Sequence, residues 1–437
     1  MKNLGKIDRA GGGGRWNRHR IYKQRKRHKN NFMKWILVGF LIVVIAVIIA
    51  FFVRTKEQNG TGKAVNTKTN NKEATSKKEA TKSEAAKTNK ADGKIQATID
   101  AMSLEEKVAQ LFIITPEALT GTGVVIQAGD TTKSCLQSYP VGGLIYFSQN
   151  IESETQLKTM LATTKAMSKY PLFLGVEEEG GGKIAYIANS GVIKVSKVAE
   201  MSAIGASGDN TKANEAGAAI GGYLSALGFN LNFAPVADVL TNSANTIIGN
   251  RSFGSDPKIV SEMVSEMVKG MQKTGISATL KHFPGAGDTL ADADSGVAIS
   301  ERSEEQLENT EFLPFEAGIK AQANLVMVGH MAVPNITGDN TPSSLSKKIV
   351  TEILRTKLGY DGIVITDAMN MGVITDYYEP AEIGVKVLQA GGDMILMPAD
   401  FKASYAGLLN AVLNGTISED RIDESLKRIF RVKMATF

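Results

Sequence analysis

The amino-acid sequence predicts an α/β protein whose main domain, residues 95–437, is a (β/α)₈ TIM-type barrel. Eight short apolar runs of strand type recur in this region, and helical stretches separate them. The runs are mostly continuous rather than alternating with polar residues, which is typical of parallel strands covered on both faces. Eight parallel strands with intervening helices indicate a closed barrel.

In chain order the apolar runs are LFIIT (111–115), GGLIYF (142–147), PLFLGVE (171–177), LNFAPVAD (231–238), SATLKHF (277–283), NLVMVGH (324–330), GIVITDA (362–368) and DMILMP (393–398). An open, doubly wound sheet is the alternative. No Gly-rich dinucleotide-binding fingerprint follows the first run, so the closed barrel is favoured. Ahead of these runs, Ser103 precedes the helical pattern LEEKVAQLF, and Glu106 follows at the capping-box spacing of a helix start.

The segment before the barrel begins with a basic arm, residues 1–34, which holds 12 Lys and Arg against one acidic residue, Asp8. The next 19 residues, from Trp35 to Val53, contain no charge and no proline, and a helix of this length spans a bilayer. A cleaved signal peptide is the alternative, but the apolar run is longer than usual and no small-x-small cleavage site follows before Arg54. We expect a single-pass membrane anchor with the arm in the cytoplasm and the barrel outside the cell.

Residues 54–94 contain no aromatic residue and only one branched aliphatic residue, Val65. Such a segment cannot bury enough apolar surface to offset its chain entropy, so we expect a disordered linker. Residues 1–94 hold 23 of the 50 Lys and Arg but only 6 of the 45 Asp and Glu, which leaves residues 95–437 a net charge of −12. An acidic main domain argues against nucleic acid as a partner.

Metal and cofactor sites are not expected. The chain has one cysteine, Cys135, so no intrachain disulfide can form, and only His282 and His330 lie within residues 95–437. Two separated histidines without a cysteine cluster do not indicate a zinc or iron site.

Five of the eight predicted strands end in charged or imidazole side chains. In a parallel barrel the C-terminal strand ends share one rim, and barrel enzymes carry their chemistry there. Together these side chains predict a mixed-charge pocket suited to a hydroxyl-rich, neutral ligand such as a sugar. They are Glu177, Asp238, Lys281 with His282, His330 and Asp367.

The order of the surrounding segments is more specific. In chain order they are GVEEEGGGK (175–183), APVADV (234–239), IIGNRSFGSDP (247–257), KHFPGAGDTLADAD (281–294), MVGHMAVP (327–334), SSLS (343–346) and ITDAMNMG (365–372). This set resembles the catalytic barrel of glycoside hydrolase family 3, in particular its single-domain bacterial β-N-acetylglucosaminidases (β-N-acetylhexosaminidases). The resemblance covers roughly residues 99–435, and NRSFGSDP and KHFPG are its most specific motifs.

The resemblance implies that Asp367 is the nucleophile, because a carboxylate held at a strand end can attack an anomeric carbon and form a covalent glycosyl-enzyme. It also implies that Arg251, Lys281 and His282 hold sugar hydroxyls, and that Glu177 replaces an Asp with the same role. Cations around the ring position the sugar and lower the nucleophile's pKa. From the residues alone, Asp367 as a helix cap and Arg251 or Lys281 as structural ion-pair partners remain alternatives.

The chain departs from the family pattern in the loop after KHFPG. The resemblance predicts KHFPGHGDT followed by Asp-Ser-His, whose His is the general acid/base. This chain has Ala286 at the first His and Asp292-Ala293-Asp294 at the Asp-Ser-His run. Asp294 or Asp292 is therefore the candidate acid/base, since a carboxylic acid can serve if its pKa is raised, and an acid from elsewhere in the chain is the alternative.

A second departure follows the third run. The family shows Asp-Gln-Glu-Gly-Gly-Arg-Val with a further Arg two residues on, whereas this chain has Gly182 and Ala185 at the two Arg positions. Lys183 is a partial replacement, because an ammonium is a point charge and not a planar fork.

Two functions follow from these patterns. The first is hydrolysis of terminal non-reducing β-linked N-acetylhexosamine, from peptidoglycan or a related glycan, by a retaining mechanism that needs no cofactor. The second is a catalytically impaired barrel that acts as a membrane-tethered glycan-binding or scaffold protein. Losing a general acid typically costs about 10²–10⁴-fold in rate, which keeps the second function open.

Overall fold

The computed structural model describes residues 91–290 and 296–436. Its centre is a closed barrel of eight parallel strands in the order β1-β10-β9-β8-β7-β6-β3-β2. The predicted (β/α)₈ barrel is confirmed, and each of the eight apolar runs contains one of its strands. The barrel strands are β1 (Phe112–Ile114), β2 (Gly143–Ile145), β3 (Phe173–Val176), β6 (Leu231–Asn232), β7 (Ser277–Phe283), β8 (Leu325–Val328), β9 (Ile363–Ala368) and β10 (Met394–Leu396).

Helices follow the strands and cover the barrel. The first described helix, α1, occupies residues 91–100. The others are α2 (Leu104–Ala109), α3 (Pro116–Thr120), α4 (Asp130–Ser138), α5 (Glu154–Met167), α6 (Met201–Ala206), α7 (Asn210–Leu227), α8 (Pro257–Gln272), α9 (Glu304–Glu308), α10 (Phe312–Lys320), α11 (Pro334–Thr337), a π-helix (Lys348–Lys357), α12 (Gly372–Thr375), α13 (Pro380–Ala390), α14 (Phe401–Leu413) and α15 (Glu419–Thr436). Short 3₁₀ turns occupy Ser148–Asn150, Gly249–Arg251 and Ser343–Leu345.

Local sequence explains where these elements begin. Ser103 and Glu106 form the predicted capping box of α2, because each side chain accepts a hydrogen bond from the other's backbone N–H. The strands are apolar throughout because both of their faces are covered: all residues of β1 and of β8 are buried. The continuous apolar runs in the sequence follow from this double burial.

Two buried asparagines fix β6 against β3 and the residues after it. The side-chain amide of Asn230 donates to Leu172 O and accepts from Leu174 N. The side-chain amide of Asn232 donates to Glu178 O at 2.8 Å and accepts from Glu178 N at 2.9 Å. These bonds hold the backbone that leaves β3, and that backbone carries the acidic run 177–179.

An antiparallel hairpin follows β3 and was not predicted. Its strands are β4 (Glu178–Gly180) and β5 (Ile184–Ala185). Gly180 and Gly181 have φ values of 92° and 69°, which a residue with a Cβ rarely adopts, so the glycines permit this turn. The hairpin places Lys183 beside the rim of the barrel.

The N-terminal boundary of the folded unit differs from the prediction. The linker was predicted to extend to residue 94, but residues 91–94 belong to α1. Ile95 and Ile99, one turn apart on this helix, are 4% and 0% exposed, and their burial orders the polar residues just before them.

The basic arm 1–34, the apolar segment 35–53 and residues 54–90 of the linker lie outside the described residues. Among the residues that are described, no helix is long and apolar enough to cross a membrane.

Candidate active site

The C-terminal ends of the barrel strands surround a cavity of about 620 Å³. This volume falls within the range of about 300–1,000 Å³ that is usual for small-molecule sites. Of the predicted site residues, Glu177, Arg251, His282 and Asp367 line the cavity, together with Lys183 and His330. Four of the polar strand ends predicted from the sequence therefore meet in one pocket. Asp238 and Lys281 do not line it: Lys281, predicted to hold sugar hydroxyls, is buried and paired with Glu177 and Glu179.

A buried carboxylate, Glu179, binds both predicted sugar-binding cations. It accepts hydrogen bonds from Nε and Nη2 of Arg251 at 2.8 and 2.7 Å, and its Oε1 lies 2.6 Å from Nζ of Lys281. The same Nζ lies 3.0 Å from Oε1 of Glu177. Burial alone would raise the pKa of Glu179, but Lys281 and Arg251 lower it to about 2. Burial alone would lower the pKa of Lys281, but Glu177 and Glu179 raise it above its usual value. The ammonium therefore stays charged.

Sequence reasoning did not single out Glu179. The available signal was alternation: in extended chain, residues two apart point to the same side. Glu177 and Glu179 accordingly share Lys281, whereas Glu178 points away and accepts hydrogen bonds from Tyr223 Oη at 2.7 Å and from Ile187 N at 2.7 Å. Burial raises the pKa of Glu178.

Asp238 holds His282 at the end of β7. Its Oδ2 lies 2.7 Å from Nδ1 of His282, and its Oδ1 accepts from Ala286 N at 2.7 Å. This contact orients the imidazole so that its other edge faces the cavity. The side chain of Asp238 is buried and that of His282 is 14% exposed, so Asp238 braces the histidine from behind.

Asp367 lies at the C-terminal end of β9 and borders the cavity. Its Oδ1 accepts a hydrogen bond from Ala368 N at 2.8 Å. Burial alone would raise the pKa of Asp367, but His282, His330, the Ala368 N–H and Lys281 lower it below its usual value. The carboxylate is therefore ionised at neutral pH, which is the form that a nucleophile requires.

The alternative role of Asp367 as a helix cap does not fit its position. The next helix, α12, has Met371 and not Asp367 at its N-cap. Asp367 is thus directed to the cavity and not to a helix terminus.

His330 supports the same strand end. Its Nε2 lies 3.0 Å from Ala368 O, and its Nδ1 lies 2.8 Å from Ser344 Oγ. Because a carbonyl can only accept, Nε2 carries a proton in this arrangement and donates it to Ala368 O. His330 therefore fixes the backbone next to Asp367 as well as lining the cavity.

The candidate acid/base residues Asp292 and Asp294 lie outside the described residues. Thr289 and Ala298, described residues that precede and follow them in the chain, line the cavity. Within residues 91–290 and 296–436, no group of three or more His, Cys, Asp or Glu side chains could hold a metal ion.

Comparison with known proteins identifies the family to which this barrel belongs. The family model described as Glycosyl hydrolase family 3 N terminal domain matches residues 103–432. The chain belongs to glycosyl hydrolase family 3.

Relatives within the family are named after amino-sugar glycosidases. A beta-hexosaminidase A of Pseudoalteromonas piscicida is 30% identical over 323 residues, which cover 68% of this chain and 54% of that protein. A beta-hexosaminidase of Stenotrophomonas maltophilia (strain R551-3) is 31% identical over 283 residues, 64% of this chain and 81% of the relative. The chain thus spans about half the length of the first of these relatives.

The fold is shared with solved members of the family. The structure of a glycoside hydrolase family 3 β-N-acetylglucosaminidase from Paenibacillus sp. str. FPU-7 matches with a TM-score of 0.71 and 34% identity, covering 76% of this chain and 62% of that chain.

Behind the cavity, the family barrel of this chain contains a buried acidic cluster. Nε of Arg302 lies 3.2 Å from Oε1 of Glu311 and 3.4 Å from Oδ2 of Asp288, and Ser300 Oγ donates to Asp288 Oδ2 at 2.6 Å. Neither carboxylate oxygen of Glu311 has a hydrogen-bond partner. Burial raises the pKa of Glu311 to about 7 despite the attraction of Arg302. The effect of burial on the pKa is the larger one, because a nearby cation that donates no hydrogen bond replaces little of the hydration that the Glu311 carboxylate loses.

We predict that Glu311→Gln stabilises the folded protein at pH 8 but not at pH 5. The folded-state pKa of Glu311, about 7, exceeds the value of 4.5 for an exposed Glu. Between these values the folded state retains a proton that the unfolded state has lost, so stability falls as pH rises through this window. This difference in pKa corresponds to a gain of up to about 3 kcal/mol in the free energy of unfolding of Glu311→Gln at pH 8.

Urea unfolding at both pH values measures this gain. Glu316→Gln, on the same helix but in an exposed ion pair with Lys320, is the matched control and should change little. A Glu311→Gln effect of the same size at pH 5 and pH 8 would contradict the raised pKa.

Proposed function

We propose that this protein hydrolyses terminal, non-reducing β-linked N-acetylhexosamine from peptidoglycan or a related glycan, with retention of anomeric configuration. The observation that carries the proposal is the position of the Asp367 carboxylate, at the end of β9 and beside a cavity that Arg251, Glu177 and His282 also line. The names of the family relatives, beta-hexosaminidase and β-N-acetylglucosaminidase, support the choice of sugar.

Substrate binding follows from the charged groups at the cavity wall. Glu177 accepts hydrogen bonds from sugar hydroxyls, while Arg251 and His282 donate to hydroxyl oxygens. Arg251 is already fixed by Glu179, and His282 by Asp238. Because these side chains are held before the sugar arrives, little entropy is lost in positioning the ring.

The reaction has two steps. In the first, a carboxylate oxygen of Asp367 forms a bond to the anomeric carbon, the glycosidic C–O bond breaks, and the departing oxygen takes a proton from an acid. In the second, water attacks the same carbon, the deprotonated acid accepts a proton from the water, and Asp367 leaves. Two inversions give net retention.

The acid/base is Asp294 or Asp292, which stand where the family resemblance expects the Asp-Ser-His run. A carboxylic acid serves this role near neutral pH if its pKa lies above the value of about 3.9 for an isolated Asp.

A glycan-binding scaffold without turnover is less well supported. The family relatives that this chain matches are named after glycosidases and not after binding proteins. The chain also keeps a carboxylate, Asp367, at the strand end that borders the cavity, where the family resemblance expects the nucleophile.

We predict that Asp367→Asn abolishes covalent labelling by a fluorinated N-acetylhexosamine inactivator and lowers kcat/KM by about 10³-fold or more. An amide cannot form the glycosyl ester. The measurement is mass spectrometry of the intact protein after incubation. Asp376→Asn, which changes an exposed carboxylate nine residues further on, is the matched control and should be labelled like the wild type. Labelling of Asp367→Asn at the wild-type rate would show that the nucleophile is elsewhere.

We predict that Ala293→Ser together with Asp294→His raises activity on glycans with poor leaving groups more than on activated aryl glycosides, because an imidazole with a pKa of about 6.5 is usefully protonated near neutral pH. If Asp294 already serves as a tuned acid, the double variant is no better than the wild type on the natural glycan. The measurement is kcat/KM for both proteins on both substrate types. A large gain confined to the glycan would show that Asp294 is an inefficient acid, with about 1.4 kcal/mol recovered per tenfold gain.

We further propose that segment 35–53 anchors the protein in the cell membrane, with residues 1–34 cytoplasmic and the barrel extracellular. The basis is the charge asymmetry around the uncharged run, with 12 basic residues on its N-terminal side. Protease added to intact cells should remove the barrel and leave a fragment of the arm and span. A barrel that resists protease until the cells are lysed would contradict this orientation.

A further inference from the structure

Among the described residues, the cationic side chains around the cavity are paired with carboxylates except at one position. Arg251 is paired with Glu179, Lys281 with Glu177 and Glu179, and His282 with Asp238. Lys183 differs from these groups. It lines the cavity, yet within the described ranges it forms no ion pair with a carboxylate.

Lys183 is nevertheless held in a defined place. Its Nζ donates to Thr246 O at 3.0 Å and to Ile247 O at 2.9 Å. An ammonium has three N–H donors, so these two bonds leave one for a ligand. Carbonyl oxygens fix the position of the ammonium but do not cancel its charge.

The Ile247 carbonyl places Lys183 next to a second cation. Nη1 of Arg251 donates to the same oxygen at 3.3 Å. The guanidinium of Arg251 is paired with Glu179, whereas the ammonium of Lys183 has no carboxylate partner among the described residues, so Lys183 is the cation of the two that is left to attract an anion.

We propose that Lys183 determines specificity by binding a carboxylate carried by the sugar that occupies the cavity. The substrate class is therefore an N-acetylhexosamine with an acidic substituent on its ring. This inference rests on the proposed hydrolase function and narrows its substrate. A sugar that fills the cavity displaces water around Lys183, which strengthens its attraction for a carboxylate.

The test uses pairs of aryl β-N-acetylglucosaminides. One member of each pair bears a carboxymethyl ether on a ring hydroxyl, and the other bears the corresponding carboxamide, which has the same size and no charge. Three pairs, substituted at O3, O4 and O6, cover the free ring hydroxyls. The readout is the ratio of kcat/KM for the acid to that for the amide, at low and at high salt.

For at least one position, the wild type should prefer the acid by about tenfold or more, as expected for a charge-assisted hydrogen bond. Lys183→Met should reduce this ratio to near one, mainly through KM, and Lys183→Arg should retain most of it. Lys194→Met, which removes an exposed lysine further along the same segment, should leave the ratio unchanged. The preference should shrink with added salt, because the pair lies near solvent.

The proposal is overturned if the wild type shows no acid preference at any position, or if the preference survives in Lys183→Met. Dissociation constants for the S-linked analogues of the same pairs, measured by calorimetry, give an independent arm. If no aryl glycoside is hydrolysed but the acids bind more tightly in a Lys183-dependent way, the hydrolase function fails and the carboxylate site stands. If the aryl glycosides are hydrolysed without a preference for the acid, the hydrolase function stands and the carboxylate site fails.

Discussion

The site depends on one interaction, the contact of the buried Glu179 carboxylate with Arg251 and Lys281. These cations come from different parts of the barrel and are only 8% and 1% exposed at their side chains. Without an anion between them, desolvation and mutual repulsion would oppose their burial, and breaking such a pair typically costs about 3–5 kcal/mol. Glu179 therefore allows two positive charges to stand beneath a sugar-sized cavity, and both contribute to the field that acts on the groups above them.

The rest of the rim extends this arrangement. Asn232 fixes the backbone of Glu178, which places Glu179 on the inner side of the chain. Asp238 orients His282 in the same way from the neighbouring strand. Lys281 and His282 are consecutive residues at the end of β7. This strand end therefore supplies both a cation that pairs with carboxylates below the cavity and an imidazole that lines it. Asp367 lies within the field of these groups, which offsets the cost of ionising it in a partly buried position.

The barrel was predictable because parallel strands covered on both faces must be apolar throughout, and this leaves a strong pattern in the sequence. Arg251, His282 and Asp367 were identified from their motifs, and the structure brings them to one cavity. Glu179 was missed because its partner Arg251 lies 72 positions away, and sequence spacing does not report such contacts. The hairpin that carries Lys183 was missed because its strands, Glu178–Gly180 and Ile184–Ala185, lie in a charged, glycine-rich segment without an apolar run.

The central claim is that Asp367 makes this rim a retaining glycosidase site. The most direct measurement is hydrolysis of an activated aryl β-N-acetylglucosaminide by the full-length protein, followed by proton NMR of the sugar first released. Such a leaving group needs little help from an acid, so the result does not depend on the altered loop around Asp294. The account predicts turnover in which the β anomer appears first. Release of the α anomer first, or no turnover at all, would contradict it.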